Sequence, residues 1–291
     1  MTKLLTINLH GLTGATHDPR FSRLLEFIRR HRPTAVAFQE ACQNSAAPAL
    51  SESEANIIIP THVDDFAYAA VPVKSDNLIY RLIKELSAVG VQYYGAWLPI
   101  KQGYGVFDEG IAILSSKKPL SAHGIYLSET KSYFDWRTRM ALTFTFPHPA
   151  PAVVCVHMGR YDDIREPFSH QWNILSGELT KLKSAYVLGD FNTPSEIRGE
   201  GYDLMVGDGM YDLCTLSGKK AEPTVRGDVD GWRDQDSDMR IDLILSSFIP
   251  DGEVTAYRTV FDGRDGAKIS DHLGVFAELQ NPKHKEEQKP K

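Results

Sequence analysis

Short apolar stretches recur along the whole chain and alternate with longer stretches of helical periodicity. The short stretches, several of them bounded by Gly, Pro or Asp, predict strands. They are KLLTINL, TAVAFQE, GIAILSS, MALTFTF, AVVCVHM, AYVLGDF, RIDLILSS and GVFAEL. Apolar positions spaced by three and four predict helices at residues 20–31, 76–89 and 167–183. Strands and helices mixed in this way, without a break in composition, favour a layered α/β architecture in a single domain over residues 1–280.

Two parts of the chain depart from this pattern. Residues 191–238 are rich in Gly and Asp and only weakly periodic, which predicts long surface connections of the kind that often carry binding residues. The last residues, 281–291, read NPKHKEEQKPK and predict a disordered tail.

Charge restricts the class of partner. The chain has 32 Lys and Arg against 38 Asp and Glu, a formal net charge of −6. A negatively charged protein does not attract polyanions in general, so nucleic acid is an unfavoured partner, although a groove can be locally basic. The three cysteines lie far apart in or beside apolar stretches, which predicts reduced, structural thiols.

The amino terminus, MTKLLTINLHG, leads directly into a strand pattern, and no apolar run is long enough for a membrane span. We therefore expect a cytoplasmic location without a membrane span. The pattern gives no indication of an obligate protein partner.

Polar side chains close several of the predicted strands, and burying them requires a physical reason. Asn8 and His10 lie on the same side of the first strand, and Glu40 ends the second. Glu40 could cap the turn that follows it, or it could be a hard oxygen ligand for Mg²⁺. The sequence around Glu40 alone does not decide between these interpretations.

A histidine and two further polar residues follow the same rule later in the chain. His157 ends an apolar run just before Gly159, and alone it is most simply a satisfied core or surface residue. Asp190 and Asn192 end a fully apolar strand and share one face. They could form an Asx turn before Pro194. A turn alone does not require a buried strand to lead into it, so a role in orienting water is favoured.

The carboxyl-terminal part of the chain supplies the last candidates. Asp242 lies within RIDLILSS, and Asp271 and His272 are adjacent in KISDHLGVFAEL. An adjacent Asp and His can supply a metal ligand and a proton donor together. A helix cap or a turn would explain SDH equally well on its own, so its significance comes from the other motifs.

Taken in order over residues 3–280, these motifs resemble those of the endonuclease/exonuclease/phosphatase superfamily. The residues that carry the resemblance are Asn8, Gln39 and Glu40, His157, GDFN at 189–192, RIDLILSS at 240–247 and SDH at 270–272. The resemblance implies a four-layer α/β sandwich, in which two mixed β-sheets pack together with helices outside. It also implies an active site at the loop end of both sheets.

The resemblance further implies a cofactor and its ligands. Glu40 would be the principal Mg²⁺ ligand, with Asn8 and Asp271 close to the same or a second metal position, and Mn²⁺ could substitute. All three side chains offer oxygen, which hard cations prefer.

Catalytic roles follow from the same resemblance. Asp190 and Asn192 would hold and polarise the attacking water. His272, paired with Asp242, and His157 would stabilise or protonate the phosphoryl centre, because histidine transfers protons near neutral pH.

Candidate substrate-binding residues are less specific. Arg137 and Arg139 alternate and would share one face, where they could bind phosphate oxygens or form a solvated strand edge. Trp136 is interpreted as core or rim packing. Tyr161 and Asp162 suit the recognition of sugar hydroxyls, or they belong to a helix N-cap region.

Two segments bear on the substrate. DEGIAILS is similar to the sphingomyelinase and sugar-phosphatase branches, and HMGRYDDIREPFSHQW is similar to the bacterial maltose 6'-phosphate phosphatases. The first hypothesis is a phosphomonoesterase that acts on a small phosphorylated sugar. The second is a phosphodiesterase for a sphingomyelin-type lipid or nucleic acid, and the third is a non-catalytic binding protein that retains the fold. The motifs INLHG and CVHMG depart from the commonest nuclease versions, so the metal geometry transfers more safely than the specificity.

Overall fold

The computed structural model describes residues 1–64, 71–227, 238–264 and 267–280. The strands in these residues are β1 Thr2–Asn8, β2 Ala35–Asn44, β3 His62–Val63, β4 Tyr94–Gly103, β5 Phe107–Ser115, β6 Ser121–Tyr126, β7 Met140–Thr145, β8 Ala152–His157, β9 Ala185–Asp190, β10 Tyr211–Asp212, β11 Asp242–Ser246, β12 Val254–Val260 and β13 Gly274–Leu279. The helices are α1 Pro19–His31, α2 Glu52–Ala55, α3 Leu78–Ala88, α4 Phe168–Leu179, α5 Gly201–Gly207 and α6 Leu213–Ser217.

The strands form two mixed sheets. A 6-stranded sheet has the order β12-β13-β1-β2-β5-β4, and a 7-stranded sheet has the order β10-β11-β9-β8-β7-β6-β3. In the first sheet β1 and β2 are parallel. In the second sheet β8 and β9 are parallel, as are β3 and β6. The predicted fold class, two packed mixed sheets flanked by helices, is confirmed.

Three apolar clusters hold the layers together. Leu4 and Ile113 of the 6-stranded sheet and Leu142 and Leu188 of the 7-stranded sheet belong to one buried cluster, which lies between the two sheets. Helices α1 and α3 cover the other face of the 6-stranded sheet. Helices α4 and α5 cover the other face of the 7-stranded sheet. The order helix, sheet, sheet, helix buries both faces of each sheet.

Side-chain caps fix where two of these helices begin. The carboxylate of Asp18 accepts a hydrogen bond from the backbone of Arg20 at the start of α1, and the Asn77 side chain accepts from Ile79 and Tyr80 at the start of α3. None of the helices in the described ranges is long and apolar enough to span a membrane.

The apolar pattern located the central strands and the three long helices, but it missed strands at the margins. β4, β6 and β12 were not predicted, since each carries polar or charged residues within it. Helix α4 ends at Leu179, before the predicted residue 183, because the apolar periodicity continues into a turn. The prediction of a single domain over 1–280 stays a prediction, and the predicted tail at 281–291 lies outside the described residues.

The interpretation of residues 191–238 as surface connections alone was wrong for part of that range. Helix α5, strand β10 and helix α6 lie there, and they bury Tyr202, Met205 and Leu213. These elements are too short to show periodicity, so the pattern could not reveal them. Residues 228–237 of this range lie outside the described residues.

The cluster between the sheets makes a prediction about stability. Leu188 is fully buried there. We expect Leu188→Ala to lower the free energy of unfolding by about 2 to 5 kcal/mol, because it removes buried methyl groups and leaves a cavity. Leu120→Ala is the matched control, since Leu120 is 69% exposed and its truncation should change stability by less than about 0.5 kcal/mol. Urea unfolding curves measure both, and equal effects would contradict the assigned core.

Candidate active site

Most of the polar residues predicted from the sequence meet in one cleft of about 380 Å³ at the end of both sheets. The predicted residues that line it are Asn8, Glu40, Arg139, His157, Asp190, Asn192, Asp271 and His272. Asp242 is fully buried beneath them and reaches the cleft through His272. Residues remote in the sequence are therefore gathered at one place, and Glu40 and Asp271 face the same cleft.

Asp190 lies at the centre of this group because of strand register. It ends β9, with His157 of β8 opposite it on one side and Asp242 of β11 opposite it on the other. Its Oδ2 lies 3.7 Å from His157 Nε2 and 3.9 Å from His272 Nε2. Gly189, just before it, is required by close packing, since a Cβ there would lie 2.0 Å from the carbonyl oxygen of Val156.

Asn8 joins the two sheets. Its Nδ2 donates to Glu40 Oε1 in its own sheet and to Asp190 Oδ2 in the opposite sheet, both at 3.1 Å. Its Oδ1 accepts from the backbone N–H of His10 at 3.1 Å. In this arrangement Asn8 holds two carboxylates at a fixed separation, and its amide oxygen accepts one hydrogen bond from the backbone.

Glu40 owes its position to an irregularity in β2. The pairing of β2 with β5 shifts register between Phe38 and Ala41, which is a β-bulge, and Glu40 has a φ of 50°. Its Oε2 is buried and has no hydrogen-bond partner among the described residues. Burial, followed by the charge of Glu109, raises the pKa of Glu40 to about 7.

Strained backbone accompanies the cleft more generally. Six residues other than glycine have positive φ in the described ranges, and four of them line the cleft. These four are His10, Glu40, Tyr104 and Asn192. Such conformations persist only where the surrounding structure enforces them, and they concentrate at functional sites.

His272 and Asp242 form a buried dyad. His272 Nδ1 lies 2.9 Å from Asp242 Oδ2. Burial lowers the pKa of His272, but the charge and hydrogen bond of Asp242 outweigh it, and with Asp190 they raise that pKa to about 10. Burial, with the charge of Asp242, raises the pKa of Asp190 to about 6. The dyad therefore presents an imidazolium to the cleft at neutral pH, with Nε2 directed towards Asp190.

The pKa of His157 is shifted in the opposite direction to that of His272. Burial first, and then the charges of Arg139, Lys101 and His272, hold its pKa well below the ordinary value. At neutral pH His157 is a neutral imidazole beside a cationic His272. His157 and His272 therefore differ in protonation, which allows one to donate a proton where the other accepts one.

The Asn192 side chain is fixed by Met158, whose carbonyl oxygen accepts from Nδ2 at 2.9 Å. The backbone of Asn192 also donates to Asp190 Oδ1 at 2.9 Å, so the Asx-type turn considered from the sequence is present. Because the same residues line the cleft, the turn and a role in the site are compatible.

Sequence reasoning missed a buried cation. Lys101 is only 7% exposed and lines the cleft, where its Nζ lies 3.2 Å from Glu109 Oε1 and donates to the carbonyl oxygen of Trp136 at 3.0 Å. Burial and the neighbouring Arg139 lower the pKa of Lys101. Its signal was a lysine inside the apolar run WLPIK, within the strand β4 that was itself missed.

Three of the proposed substrate-binding residues are not among those that line the cleft. Residues 136 and 137 form a turn and residues 138 and 139 have no regular structure, so the prediction that Arg137 and Arg139 share one face of a strand was wrong. Arg139 lines the cleft, whereas Arg137 Nε donates to Asp163 at 3.1 Å. Asp162 pairs with Arg160, which does line the cleft, and Tyr161 packs against apolar core residues.

The donor set around Glu40 fits a hard divalent cation. Glu40 has a buried oxygen with no partner in the described ranges, and Asp271 adds a second carboxylate in the same cleft. A different group, Asp190, Asp242 and His272, offers ligand atoms within 4.8 Å of one another. We favour the Glu40 side, because His272 Nδ1 and Asp242 Oδ2 already bind each other.

Comparison with known proteins gives the family. The profile described as the Endonuclease/Exonuclease/phosphatase family matches residues 5–272. The chain belongs to this family. Family members are phosphoesterase hydrolases that generally depend on a divalent metal, so the chain is a phosphoric ester hydrolase. No curated protein matches it in sequence.

Solved structures share the fold at low identity. A family protein from Leptotrichia buccalis is 20% identical with a TM-score of 0.78, and the match covers 96% of this chain and 100% of that one. A mannosyl-6-phosphatase from Bacteroides thetaiotaomicron is 16% identical with a TM-score of 0.60 and the same coverage. A 3' phosphatase from Neisseria, bound to a product DNA hairpin, is 17% identical with a TM-score of 0.61, again with 96% and 100% coverage.

The raised pKa of Glu40 yields a prediction for metal-free protein. When a carboxyl has a higher pKa in the folded than in the unfolded protein, the folded protein loses stability as pH rises towards the folded pKa. For Glu40 that pKa is about 7. In EDTA, Glu40→Gln should therefore be more stable than the wild type at about pH 8, with a smaller difference at about pH 5.

Divalent metal supplies the second half of this test. Mg²⁺ should raise the melting temperature of the wild type and leave that of Glu40→Gln unchanged, because the variant lacks the charged ligand. Thermal melts of both proteins, with and without Mg²⁺, measure this. Equal stabilisation of the two would exclude Glu40 as a principal ligand.

Proposed function

We propose that the protein is a Mg²⁺-dependent phosphomonoesterase that acts on a small phosphorylated sugar by direct attack of water at phosphorus. One observation carries the proposal: the cationic and acidic groups needed for phosphoryl transfer converge in a cleft of about 380 Å³. That volume is at the lower end of the range for small-molecule sites. The net charge of −6 further disfavours a polyanionic substrate.

The cleft offers a place for the phosphoryl group. Arg139 is 6% exposed, and its Nε has no hydrogen-bond partner among the described residues, although Nη1 donates to Trp136 and Thr138. An arginine with an unsatisfied buried donor suits a phosphate oxygen. Lys101 adds a second cation, which is already held in place by Glu109.

Asp190 and Asn192 are the proposed water-binding pair. The pKa of Asp190, raised to about 6, suits a carboxylate that accepts a proton near neutral pH. Asn192 lies beside it with its amide fixed by Met158. Together they would orient a water and withdraw its proton as the oxygen attacks phosphorus.

The two histidines complete the proposed chemistry. His272, kept protonated by Asp242, would donate a hydrogen bond to a phosphoryl oxygen and stabilise the charge that develops there. His157, as a neutral imidazole, would stabilise the phosphoryl centre through a hydrogen bond rather than by donating a proton. A divalent cation held by Glu40 and Asp271, with Asn8 beside it, would polarise the phosphoryl oxygens when bound.

The sugar-phosphate assignment rests on the size of the cleft, on the segment after His157 and on a structural neighbour that is a mannosyl-6-phosphatase. Purified protein should release inorganic phosphate from hexose and disaccharide phosphates with Mg²⁺ or Mn²⁺, and EDTA should abolish the release. Sphingomyelin and DNA that carries a 3' phosphate are the competing substrates in the same assay. Faster turnover of either would replace the sugar hypothesis, and no turnover of any ester would favour a binding protein.

Loss of the Asp190 charge tests the mechanism. We expect Asp190→Asn to lower kcat by about 10²- to 10⁴-fold with little change in KM, because it removes the proton acceptor and leaves the shape of the site. Asp251→Asn is the control, since that residue lies in the cavity at the opposite end of the sheets. A variant that retains more than about a tenth of the wild-type kcat would rule out this role for Asp190.

A further inference from the structure

Two aromatic residues that line the cleft are more than half exposed, Trp136 at 54% and Tyr104 at 59%. A half-exposed indole on a turn contributes little to the core, so its position needs another reason. Rim packing, one of the two interpretations from the sequence, agrees with this exposure but does not explain the anchoring of this turn.

The backbone of Trp136 is tied to the floor of the cleft. Its carbonyl oxygen accepts from Lys101 Nζ at 3.0 Å and from Arg139 Nη1 at 2.7 Å. Both cations are buried and line the same cleft. The position of the tryptophan is therefore set by the two residues proposed to bind the phosphoryl group.

The indole itself is held by a second set of contacts. The guanidinium of Arg137 packs over the ring at 4.1 Å, and Arg137 Nε donates to Asp163 at 3.1 Å. Trp136 lines the cleft, whereas Arg137 is not among the lining residues. A rigid aromatic surface is therefore presented towards the space next to the phosphoryl site.

We propose that Trp136 is the specificity-determining residue of this enzyme and stacks against the apolar face of a pyranose ring in the leaving group. The inference rests on the proposed function, which it deepens by naming how the alcohol half of the substrate is recognised. A pyranose offers a flat face of C–H groups to an aromatic ring and hydroxyls at its edge to charged neighbours, here Arg160 and Glu109. A nucleobase could also stack on an indole, but the net charge of −6 disfavours nucleic acid.

The experiment compares a ring-containing with an acyclic substrate. Kinetic constants of wild type, Trp136→Ala, Trp136→Phe and Phe134→Ala are measured on a hexose 6-phosphate and on glycerol 3-phosphate with Mg²⁺. Phe134 is the matched control, since it is an aromatic residue of the same loop, is 76% exposed and is not among the residues that line the cleft.

We expect Trp136→Ala to raise KM for the hexose phosphate at least about tenfold and to change kcat much less, because the ring contact is made in ground state and transition state alike. The increase in KM for glycerol 3-phosphate should be several-fold smaller. Trp136→Phe should recover most of the affinity, and Phe134→Ala should match the wild type. An equal loss on both substrates would overturn the proposal, since it would show a structural role.

A binding measurement separates this inference from the proposed function. Calorimetry with EDTA-treated protein tests whether maltose, which has no phosphate, binds the wild type and fails to bind Trp136→Ala. If the wild type hydrolyses no sugar phosphate, the proposed function fails. Maltose binding that depends on Trp136 would still support the stacking proposed for this residue. If the wild type neither hydrolyses a sugar phosphate nor binds maltose, the stacking proposal is overturned. It is also overturned if Trp136→Ala raises KM more for a nucleoside monophosphate than for the hexose phosphate.

Discussion

The amide of Asn8 is the contact on which the geometry of the site depends. It lies at the end of β1 and donates to Glu40 in its own sheet and to Asp190 in the other. The two sheets pack through apolar side chains, which are not directional and do not alone fix how the sheet ends align. A shared hydrogen-bond donor between two carboxylates supplies that direction, and it sets the distance between the metal-binding side and the water-binding side of the cleft.

This arrangement concentrates buried carboxylates beside the cations of the cleft. Glu40 and Asp242 each keep a buried oxygen without a partner in the described ranges, and burial raises the pKa values of Glu40 and Asp190. Such a site costs stability, and a divalent cation would relieve much of that cost. Affinity for the cation and the instability of the metal-free site thus have the same origin.

The sequence predicted the central strands and most of the residues that meet in the cleft, because a polar residue at the end of a buried strand is visible in the local pattern. His157 and Asp190 were found in this way, Asp242 was found within a predicted strand, and their roles came from the family resemblance. Their strands adjoin in the 7-stranded sheet. Lys101 and Trp136 escaped the pattern, since their positions depend on contacts between β4 and the turn before β7. Pairing between remote segments is not encoded in the periodicity of either one.

The residues found from the pattern and those it missed occupy different parts of the site. Strand ends carry the groups proposed to act on the phosphoryl centre, and their positions follow from sheet register. Trp136 and Arg160 lie in connections between strands and helices, where Trp136 contacts Arg139 and Arg160 pairs with Asp162. A change in a turn would therefore alter the surroundings of the substrate without disturbing Asp190 or His272, so membership of the family indicates phosphoester chemistry more reliably than it indicates a substrate.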